Sequence, residues 1–203
     1  MMVSTWDNDP KNYDPGSRAP PGQFLVEKFS ILSYGSTIRF DPATWEYRLS
    51  GLVEKPVRLN YQQFCVLPKT QPMADFHCVT TWSRLDNVWE GVSAQHVVNL
   101  VRPNPEVRYV LIHCDGGYTT NRSLADFLDD DVIFAQRHDG QDIDPDHGWP
   151  LRLVVHKLDA WKSAKWVFGV EFLVEDRRGF WEVRGYHKRG NPWAEERYSD
   201  QEE

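Results

Sequence analysis

The stretch FHCVTTWSRLDNVWEG, residues 76–91, places a cysteine between an apolar approach and a run of hydroxyl, indole and charged side chains. Cys78 has His77, Thr80 and Arg84 among its polar neighbours in this stretch. Hydrogen-bond donors and a nearby cation lower the pKa of a thiol and favour the thiolate, which is both a nucleophile and a ligand for soft metals. Cys78 is therefore the candidate functional residue, although local chemistry alone leaves open a buried, inert thiol.

The other two cysteines lie in segments typical of a hydrophobic core. Cys114 ends an apolar strand-like run, and Cys65 lies in a short helical segment; a free cysteine behaves as a small hydrophobic residue. The His-Cys dipeptides at 77–78 and 113–114 suggest a zinc site. Neighbouring side chains of an extended chain point to opposite faces, however, so each dipeptide is poorly suited to give two ligands to one metal. Three unevenly spaced cysteines are also not a disulfide framework.

Length, composition and net charge limit the kinds of protein that this chain can be. A chain of 203 residues with 40% hydrophobic residues suits one domain, or one domain with tails. Its 9 Trp, 8 Tyr and 10 Phe are residues that line pockets as often as they fill cores. The net charge of −7 argues against a nucleic-acid partner, which would require a basic face. The N-terminus lacks a secretory signal pattern, and no apolar run approaches the roughly 20 residues that span a bilayer, so we expect a cytoplasmic protein without a membrane span.

The pattern of apolar residues predicts an α+β domain that is mainly β. Residues 165–175 give the clearest strand, with the large apolar residues at even positions on one face. Further strands are predicted at 45–51, 57–59, 108–114 and 151–155, and short helices at 61–67, 93–101 and 123–127. Ser93 and Ser123 are suited to cap two of these helices. Residues 1–22, which lack periodicity, predict an extended arm; 23–195 form the domain and 196–203 a C-terminal tail.

A second group of residues indicates a site for an anion. Arg122, Arg152, Lys162 and Lys165 are cations in an otherwise acidic chain, and hydroxyl groups or glycine lie close to three of them. Bound phosphate requires such charges together with hydroxyl and backbone donors. Most clusters of this kind are simply solvated, but Arg152 lies within the apolar run LRLVV and must face solvent or an anion. The chain lacks the patterns GxGxxG, GxxxxGK[ST], GxSxG and HExxH. Their absence argues against the common nucleotide-binding proteins, serine hydrolases and zinc proteases.

Six stretches, taken in order, resemble the molybdopterin-binding domain of the sulfite oxidase family. They are RAPPGQF (18–24), FSILSYG (29–35), DFHCVTTWSRLDNVWEGV (75–92), HCDGGYTTN (113–121), DHGWPLRLVV (146–155) and WKSAKWV (161–167). The resemblance covers about residues 18–190. It implies a mainly β, mixed α+β fold that holds a molybdenum-pyranopterin cofactor in a deep polar tunnel. It also implies a molybdenum ligand, and Cys78 stands at the matching position.

The resemblance implies roles for further residues. Around the pterin and its phosphate it places Arg152, Lys162, Ser163 and Lys165, together with His147, with Thr119 and Asn121 from a second loop and with Ser33 and Tyr34 from the first loop. His77, Thr80 and Trp82 would flank the metal. The predicted catalytic residues are Cys78, His77 and Arg84, the last two at the mouth where a small-molecule substrate enters.

Several features depart from the family pattern. Sulfite-oxidising members carry an arginine-rich segment after the cysteine, whereas this chain has VTTWSR, which argues against sulfite. His156 and Asp159 stand where relatives commonly have proline and an aromatic residue. The chain also ends before the family's frequent dimerisation domain and has no haem domain, so we expect a monomer that exchanges electrons with a separate partner.

The leading hypothesis is a molybdenum-dependent oxidoreductase that transfers an oxygen atom to or from a small substrate. One alternative is a cysteine hydrolase in which Cys78 is the nucleophile and His77, His113 or His147 is the base. Adjacent residues are poorly placed for such a pair, so His77 is the weakest of these partners. A second alternative is a non-catalytic protein that binds or carries molybdopterin.

Overall fold

The computed structural model describes residues 18–28 and 30–202. Most of the predicted arm, residues 1–17, lies outside the described residues. The strands are β1 Phe24–Leu25, β2 Glu46–Gly51, β3 Val57–Asn60, β4 Met73–Cys78, β5 Trp82–Ser93, β6 Tyr109–Cys114, β7 Thr119–Ser123, β8 Ile133–His138, β9 Gln141–Asp142, β10 Arg152–Val154 and β11 Val167–Leu173. The helices are α1 Tyr61–Cys65, α2 Ala94–Val101 and α3 Leu124–Phe127.

These strands form two sheets. In the first, the order is β1-β5-β8-β10, with β4 also paired to β5 and β9 to β8. In the second, the order is β3-β2-β11-β6-β7. The pairs β1–β5 and β2–β11 are parallel, and the other pairs are antiparallel. Within the described residues, helices are few and short, which agrees with the predicted class.

Two apolar clusters hold the domain together. The larger cluster packs residues of the second sheet, such as Tyr47 and Val170, against Phe134 and Leu153 of the first sheet. A smaller cluster surrounds the opening stretch of the sequence and contains Phe76, Cys78, Trp82 and Trp89. Burial of such large side chains contributes about 1.5–3 kcal/mol each. The smaller cluster therefore packs the segment that carries Cys78 against residues of β8 and β10, two further strands of the same sheet.

The predicted helix caps are confirmed. The Ser93 side chain accepts a hydrogen bond from the backbone of His96 at the start of α2. Ser123 accepts one from the backbone of Asp126 at the start of α3. Each bond satisfies one of the backbone donors that a helix leaves free at its N-terminus. The α1 helix has a cap that the sequence analysis did not identify, in which Asn60 and Gln63 form a reciprocal capping box.

The prediction for residues 165–175 was right about the strand but wrong about its faces. The register of β11 against β6 shifts between Val167 and Gly169, and such a bulge interrupts the alternation of side chains. Val167, Val170 and Phe172 are consequently all in the larger core. Phe168, expected on the same face as Val170, is half-buried and lies instead beside His113.

The opening stretch forms a β-hairpin that was not predicted. Strand β4 ends at Cys78, and β5 begins at Trp82 and runs antiparallel to it. The turn between them closes with a hydrogen bond from the Thr81 backbone N–H to the Cys78 carbonyl at 2.8 Å. Thr81 has a φ of 70°, which is unusual for a β-branched residue. Cys78 is therefore held at the end of a strand, immediately before a tight turn.

The C-terminal segment contacts the rest of the domain. Tyr198 forms an antiparallel bridge with Tyr186, and the His187 backbone N–H donates to the Arg197 carbonyl at 3.1 Å. Glu202 forms an ion pair with Arg178. None of the helices in the described part of the chain has the length and apolar character needed to cross a bilayer.

Candidate functional site

A cavity of about 630 Å³ opens beside Cys78. Its walls come from the ends of β4, β5 and β10, from the loop after β6, and from segments near residues 30–38, 160–166 and 181–186. Those segments are far apart in sequence, and the pairing of the two sheets brings them together. The volume lies within the range of roughly 300–1,000 Å³ that is typical of ligand-binding pockets.

The thiol of Cys78 lies in the wall of this cavity. Cys78 is 4% exposed, and its Sγ lies 3.1 Å from the hydroxyl oxygen of Thr80. Burial raises the pKa of the Cys78 thiol, while the hydrogen bond from Thr80 and the charge of Arg152 act in the opposite direction. The sequence-based argument for a lowered pKa was therefore wrong, because desolvation outweighs the donors. A bound cation would be needed to favour the thiolate.

Arg152 contributes a buried positive charge to the same cavity. The residue is 4% exposed, and its guanidinium carbon lies 5.0 Å from the centre of the Phe76 ring. One of its nitrogens donates a hydrogen bond of 2.8 Å to the His147 carbonyl. Burial lowers the pKa of Arg152 to about 10, which still leaves it cationic at neutral pH. A buried cation in a cavity wall is stabilised by an anionic ligand.

Lys165 provides a second cation at the cavity. Its Nζ donates hydrogen bonds to the carbonyl of Leu32 at 2.9 Å, to the hydroxyl of Ser33 at 2.7 Å and to the carbonyl of Asp146 at 2.6 Å. Burial, together with the charge of Arg152, lowers the pKa of Lys165 to about 7. An anion bound between these two cations would relieve their repulsion and raise that pKa again.

Aromatic side chains form much of the remaining wall. Tyr186 packs against Trp161 and against Trp181, with ring centroids 5.2 Å apart in each case. The hydroxyl of Tyr118 donates to the Trp161 carbonyl at 2.5 Å. All four residues line the cavity, and the sequence analysis identified none of them. Tyr118 and Trp161 lie in stretches that carry the family resemblance, and Trp181 and Tyr186 lie in an aromatic segment after residue 180, but neither signal indicates where the rings point.

Eight of the predicted site residues line the cavity, and six do not. The eight are Ser33, Tyr34, Cys78, Thr80, Trp82, Arg152, Ser163 and Lys165. The six that contribute no part of its lining are His77, Arg84, Thr119, Asn121, His147 and Lys162. The structure therefore brings together the predicted metal ligand, two of the predicted cations and the first loop.

Lys162 was predicted to bind the cofactor phosphate, but it faces the protein interior. Its Nζ lies 2.5 Å from the carboxylate of Glu182, and both side chains are fully buried. The same ammonium donates to the Asn121 side chain at 2.9 Å and to the Lys188 carbonyl at 2.6 Å. Burial lowers the pKa of Lys162 to about 8, and the Glu182 carboxylate opposes this shift. Lys162 and Asn121 thus belong to a buried polar network behind the cavity wall.

His77 lies on the side of β4 away from the cavity. Its Nδ1 is 2.8 Å from the Ser83 hydroxyl, which in turn donates to the side chain of Gln23 at 2.5 Å. Burial lowers the pKa of His77 to about 4. The reason for this orientation is the alternation of side chains in a strand, which directs neighbours such as His77 and Cys78 to opposite faces.

Arg84, also predicted to be catalytic, does not line the cavity and contacts other residues of the protein. Its guanidinium forms an ion pair with Asp139 and hydrogen bonds with the Asn87 side chain, and lies 2.9 Å from His138 Nε2. Its Nε donates to the Glu27 carbonyl at 2.9 Å. These contacts join β5 to the turn after β8, so the position of Arg84 gives no support to a role in substrate binding.

Thr119 and His147 do not line the cavity. The Thr119 carbonyl accepts a hydrogen bond from the Phe180 backbone at 2.8 Å, and the His147 carbonyl is the acceptor for Arg152. Ser163, which does line the cavity, accepts a hydrogen bond from the Val155 backbone at 3.0 Å. These contacts orient the elements that carry Arg152 and Trp181.

Residues 34–181 match the family described as oxidoreductase molybdopterin binding domain. The chain is 41% identical over 187 residues to the uncharacterized oxidoreductase YuiH of Bacillus subtilis, covering 92% of this chain and 94% of that protein. It is 26% identical over 198 residues to the protein-methionine-sulfoxide reductase catalytic subunit MsrP of Campylobacter jejuni, covering 84% of this chain and 64% of that protein.

A solved structure is also similar. The sulfane dehydrogenase SoxCD of Paracoccus pantotrophus has a TM-score of 0.63 with 19% sequence identity, covering 69% of this chain and 41% of that chain. At this level of identity the likeness shows the fold. The predicted fold class, a mainly β, mixed α+β domain, is therefore confirmed.

Proposed function

The chain belongs to the oxidoreductase molybdopterin-binding domain family, and from that premise we propose that it transfers an oxygen atom to or from a small substrate with Cys78 as the thiolate ligand of molybdenum. The observation that carries the proposal is that one cavity collects the Cys78 thiol, the buried cation Arg152 and the half-buried Lys165. A soft sulfur donor and two positive charges suit a soft metal held by an anionic cofactor.

The residues present fit this cofactor. Arg152, with a side chain buried against Phe76, and Lys165, with a pKa lowered to about 7, would both be stabilised by the negative charge of a phosphate. Thr80 would keep its hydrogen bond to the sulfur of Cys78 and so help to orient it. When bound, molybdenum-pyranopterin supplies two-electron redox chemistry and an open coordination position for the exchanged oxygen.

The chain itself performs three tasks in this proposal. Cys78 would hold the metal through Sγ as a thiolate, and the charge of the metal would offset the cost that burial imposes on this thiolate. Arg152 and Lys165 would hold the cofactor's phosphate. Trp161, Trp181 and the other aromatic side chains of the cavity exclude bulk water and so strengthen the electrostatic contacts inside.

A separate electron-transfer partner completes the proposal. Removing an oxygen atom from a substrate as water requires two electrons and two protons per turnover, and the reverse reaction releases them. The similarity to a relative that is described as a catalytic subunit supports a partner protein as the source or acceptor of these electrons. The size of the cavity supports a small molecule as the substrate.

None of the three histidines that could act as the base in the hydrolase alternative lines the cavity. His77 contacts Ser83, the side chain of His113 lies 2.9 Å from Glu171, and neither these histidines nor His147 line the cavity. A general base must come within hydrogen-bond reach of the nucleophile, directly or through one water. The carrier alternative stays a prediction and differs from the enzyme in having no turnover with any oxygen-atom donor or acceptor.

The direct test is the molybdenum and pterin content of protein purified from a host that makes the cofactor. We expect about one molybdenum per chain in the wild type and its loss in Cys78→Ala. The half-buried Cys65 offers a matched control, and Cys65→Ser should keep the wild-type metal content. Wild-type protein without molybdenum, from a host that loads a known relative, would refute the proposal. Activity is then screened with sulfoxides, N-oxides and sulfite.

A further inference from the structure

A short 3-10 turn, Glu182–Arg184, lies between two residues that line the cavity, Trp181 and Tyr186. The backbone N–H groups of Arg184 and Tyr186 donate to the Trp181 carbonyl at 2.9 and 3.1 Å, which closes the turn. Glu182 points inward, where its side chain is fully buried in the ion pair with Lys162. Arg184, at the other end of the turn, is exposed. The turn is thus anchored from inside and presents a cation on its outer side.

The guanidinium group of Arg184 is held by Phe180. Its central carbon lies 3.6 Å from the centre of the Phe180 ring, and its Nη1 donates to the Phe180 carbonyl at 2.7 Å. Phe180 is itself anchored, because its backbone N–H donates to the Thr119 carbonyl at 2.8 Å. Stacking on a ring restrains the planar guanidinium group and leaves its charge available. An anion that binds Arg184 therefore has less side-chain freedom to remove.

Arg184 has no carboxylate partner in residues 18–28 and 30–202, and its other nitrogens donate to no acceptor there. Other exposed arginines are paired, for example Arg18 with Asp75 and Arg177 with Glu171. The unused N–H groups of a guanidinium form a flat fork, and a carboxylate can accept two parallel hydrogen bonds from it. Arg184 thus offers a preformed site for one carboxylate.

This site lies at the mouth of the cavity. Tyr34 lines the cavity and is also 62% exposed, so it marks where the cavity meets solvent. The rings of Tyr34 and Phe180 have centroids 4.5 Å apart, which places Arg184 one ring further out. We refer to Tyr34, Phe180 and Arg184 as the rim. Arg152 and Lys165 are assigned to the cofactor in the proposed function, whereas the charge of Arg184 is left for another ligand.

We propose that Arg184 binds a carboxylate of the substrate, whose apolar body lies against Phe180 and Tyr34 while the atom that gains or loses oxygen enters the cavity. This inference rests on the proposed function and adds the class of substrate, a small organic molecule with both a carboxylate and the reacting group. Aromatic rings suit the apolar body. One carboxylate suits the rim better than a multiply charged anion, because the rim has one cation in a chain with a net charge of −7.

The first test measures binding of an unreactive pair of ligands, p-(methylsulfonyl)benzoate and its uncharged amide, to molybdenum-loaded protein by calorimetry. Wild type should bind the benzoate about fivefold more tightly than the amide, and this preference should shrink as salt is added. Arg184→Gln should bind the two within about twofold of each other, because the charge is gone. Arg184→Lys keeps a charge without the fork and should show an intermediate preference.

The exposed Arg108 provides the matched control, because it too donates only to backbone carbonyls, those of Pro105 and Val107. Arg108→Gln removes the same charge away from the rim and should keep the wild-type preference. Urea unfolding of each variant checks that it is folded. A preference that falls equally in Arg108→Gln and Arg184→Gln would overturn the proposal, since net charge alone would then explain it.

The second test measures turnover of the corresponding sulfoxides, p-(methylsulfinyl)benzoate and its amide. Reduced methyl viologen supplies the two electrons, and the oxygen leaves as water with two protons, so no protein partner is needed. Arg184→Gln should raise KM for the benzoate about fivefold, with kcat changed by less than about twofold, because the rim binds the substrate away from the reacting atom. A fall in kcat with an unaltered KM would contradict an anchoring role.

The two assays separate this inference from the proposed function. Loaded wild type that prefers the benzoate sulfone but turns over neither sulfoxide would support the rim site and count against oxygen transfer with this class of substrate. Turnover of both sulfoxides with the same KM, or equal or undetectable binding of the two sulfones by wild type, would overturn the role of Arg184 and leave the proposed function standing. Wild-type protein without molybdenum would refute both.

Discussion

The ammonium of Lys162 and the carboxylate of Glu182 form an ion pair of 2.5 Å in which both side chains have no exposed surface. The same Glu182 oxygen also accepts hydrogen bonds from the Thr120 hydroxyl at 2.9 Å and the Trp161 indole at 3.2 Å. Trp161 lines the cavity. The pair therefore connects the wall of the candidate site to β7 and to the turn at residues 182–184.

Breaking this pair from one side is expected to destabilise the protein strongly. Lys162→Met leaves the Glu182 carboxylate buried without its cation, and such changes cost about 3–5 kcal/mol. The measurement is the free energy of urea unfolding of the cofactor-free protein. The exposed pair Lys157–Asp129, at 3.0 Å, serves as control, and Lys157→Met should change stability by less than about 1 kcal/mol. Wild-type stability combined with lost cofactor in Lys162→Met would instead favour direct binding of the phosphate.

The turn that follows Cys78 offers a substitution that is expected to stabilise the protein. Thr81 adopts a φ of 70°, a conformation that glycine reaches without the steric cost of a β-branched side chain. We expect Thr81→Gly to stabilise the protein by about 0.5–1 kcal/mol, even though the hydrogen bond from the Thr81 hydroxyl to the Thr80 carbonyl at 2.7 Å is lost. Thermal unfolding of the cofactor-free protein measures the change.

A threonine in extended backbone provides the control for this substitution. Thr70 pairs with Gly91 across an isolated bridge and is not among the residues with positive φ. Thr70→Gly is expected to destabilise the protein by about 0.5–1 kcal/mol, because glycine has more conformational freedom to lose on folding. If both substitutions destabilise the protein equally, the turn at Thr81 stores no backbone strain.

Arg152 should affect cofactor content far more than stability. In Arg152→Met the hydrogen bond to the His147 carbonyl is lost, at a cost of about 1 kcal/mol. The substitution also removes a buried positive charge, and the cost of burying that charge is removed with it. The cofactor-free variant should therefore stay within about 1 kcal/mol of wild type in urea unfolding, while its molybdenum content falls at least fivefold. Arg152→Lys keeps the charge but not the forked geometry, and should retain an intermediate amount.

The exposed Arg58 supplies the control for the loss of a positive charge. Its side chain is 71% exposed and lies 3.5 Å from Glu46. Arg58→Met should keep both the stability and the molybdenum content of the wild type. Full molybdenum content in Arg152→Met would show that Arg152 has a purely structural role.

The sequence pattern predicted strands where alternation is regular, and it missed the hairpin that carries Cys78. Strand β5 buries the polar side chains of Ser83 and Asn87, because both have hydrogen-bond partners. Asp86 has a φ of 56°, and the register shifts again between Glu90 and Gly91. A strand with these irregularities has no period of two for a sequence pattern to detect.

The site shows the same limit of sequence reasoning. Lys162 and Lys165 stand three residues apart in WKSAKW, and their chemistry is identical in the sequence. The 3-10 turn at residues 160–162 directs Lys162 into the interior, where Glu182 and Asn121 receive it. Lys165 faces the cavity. The distinction depends on Glu182, a residue 20 positions further along the chain, and so on tertiary packing.

The last prediction concerns the dependence of stability on pH. Burial lowers the pKa of His138 to about 4, from 6.5 for an unperturbed histidine. Its Nε2 lies 2.9 Å from an Arg84 nitrogen that can donate to it, so the neutral ring is favoured. Because the folded-state pKa lies below the unfolded value, the unfolded chain binds more protons between pH 6.5 and 4. The stabilisation is complete above pH 6.5 and is lost as the pH falls toward 4.

We expect the free energy of unfolding to decrease by about 1–2 kcal/mol across this window on account of His138. Equilibrium urea unfolding at several pH values from 7 to 4 measures the change, and His138→Gln should flatten the profile by that amount. The control is His96 on α2, which is only partly buried. His96→Gln should keep the wild-type slope of the free energy of unfolding against pH. An unchanged slope in His138→Gln would mean that other groups cause the loss of stability in acid.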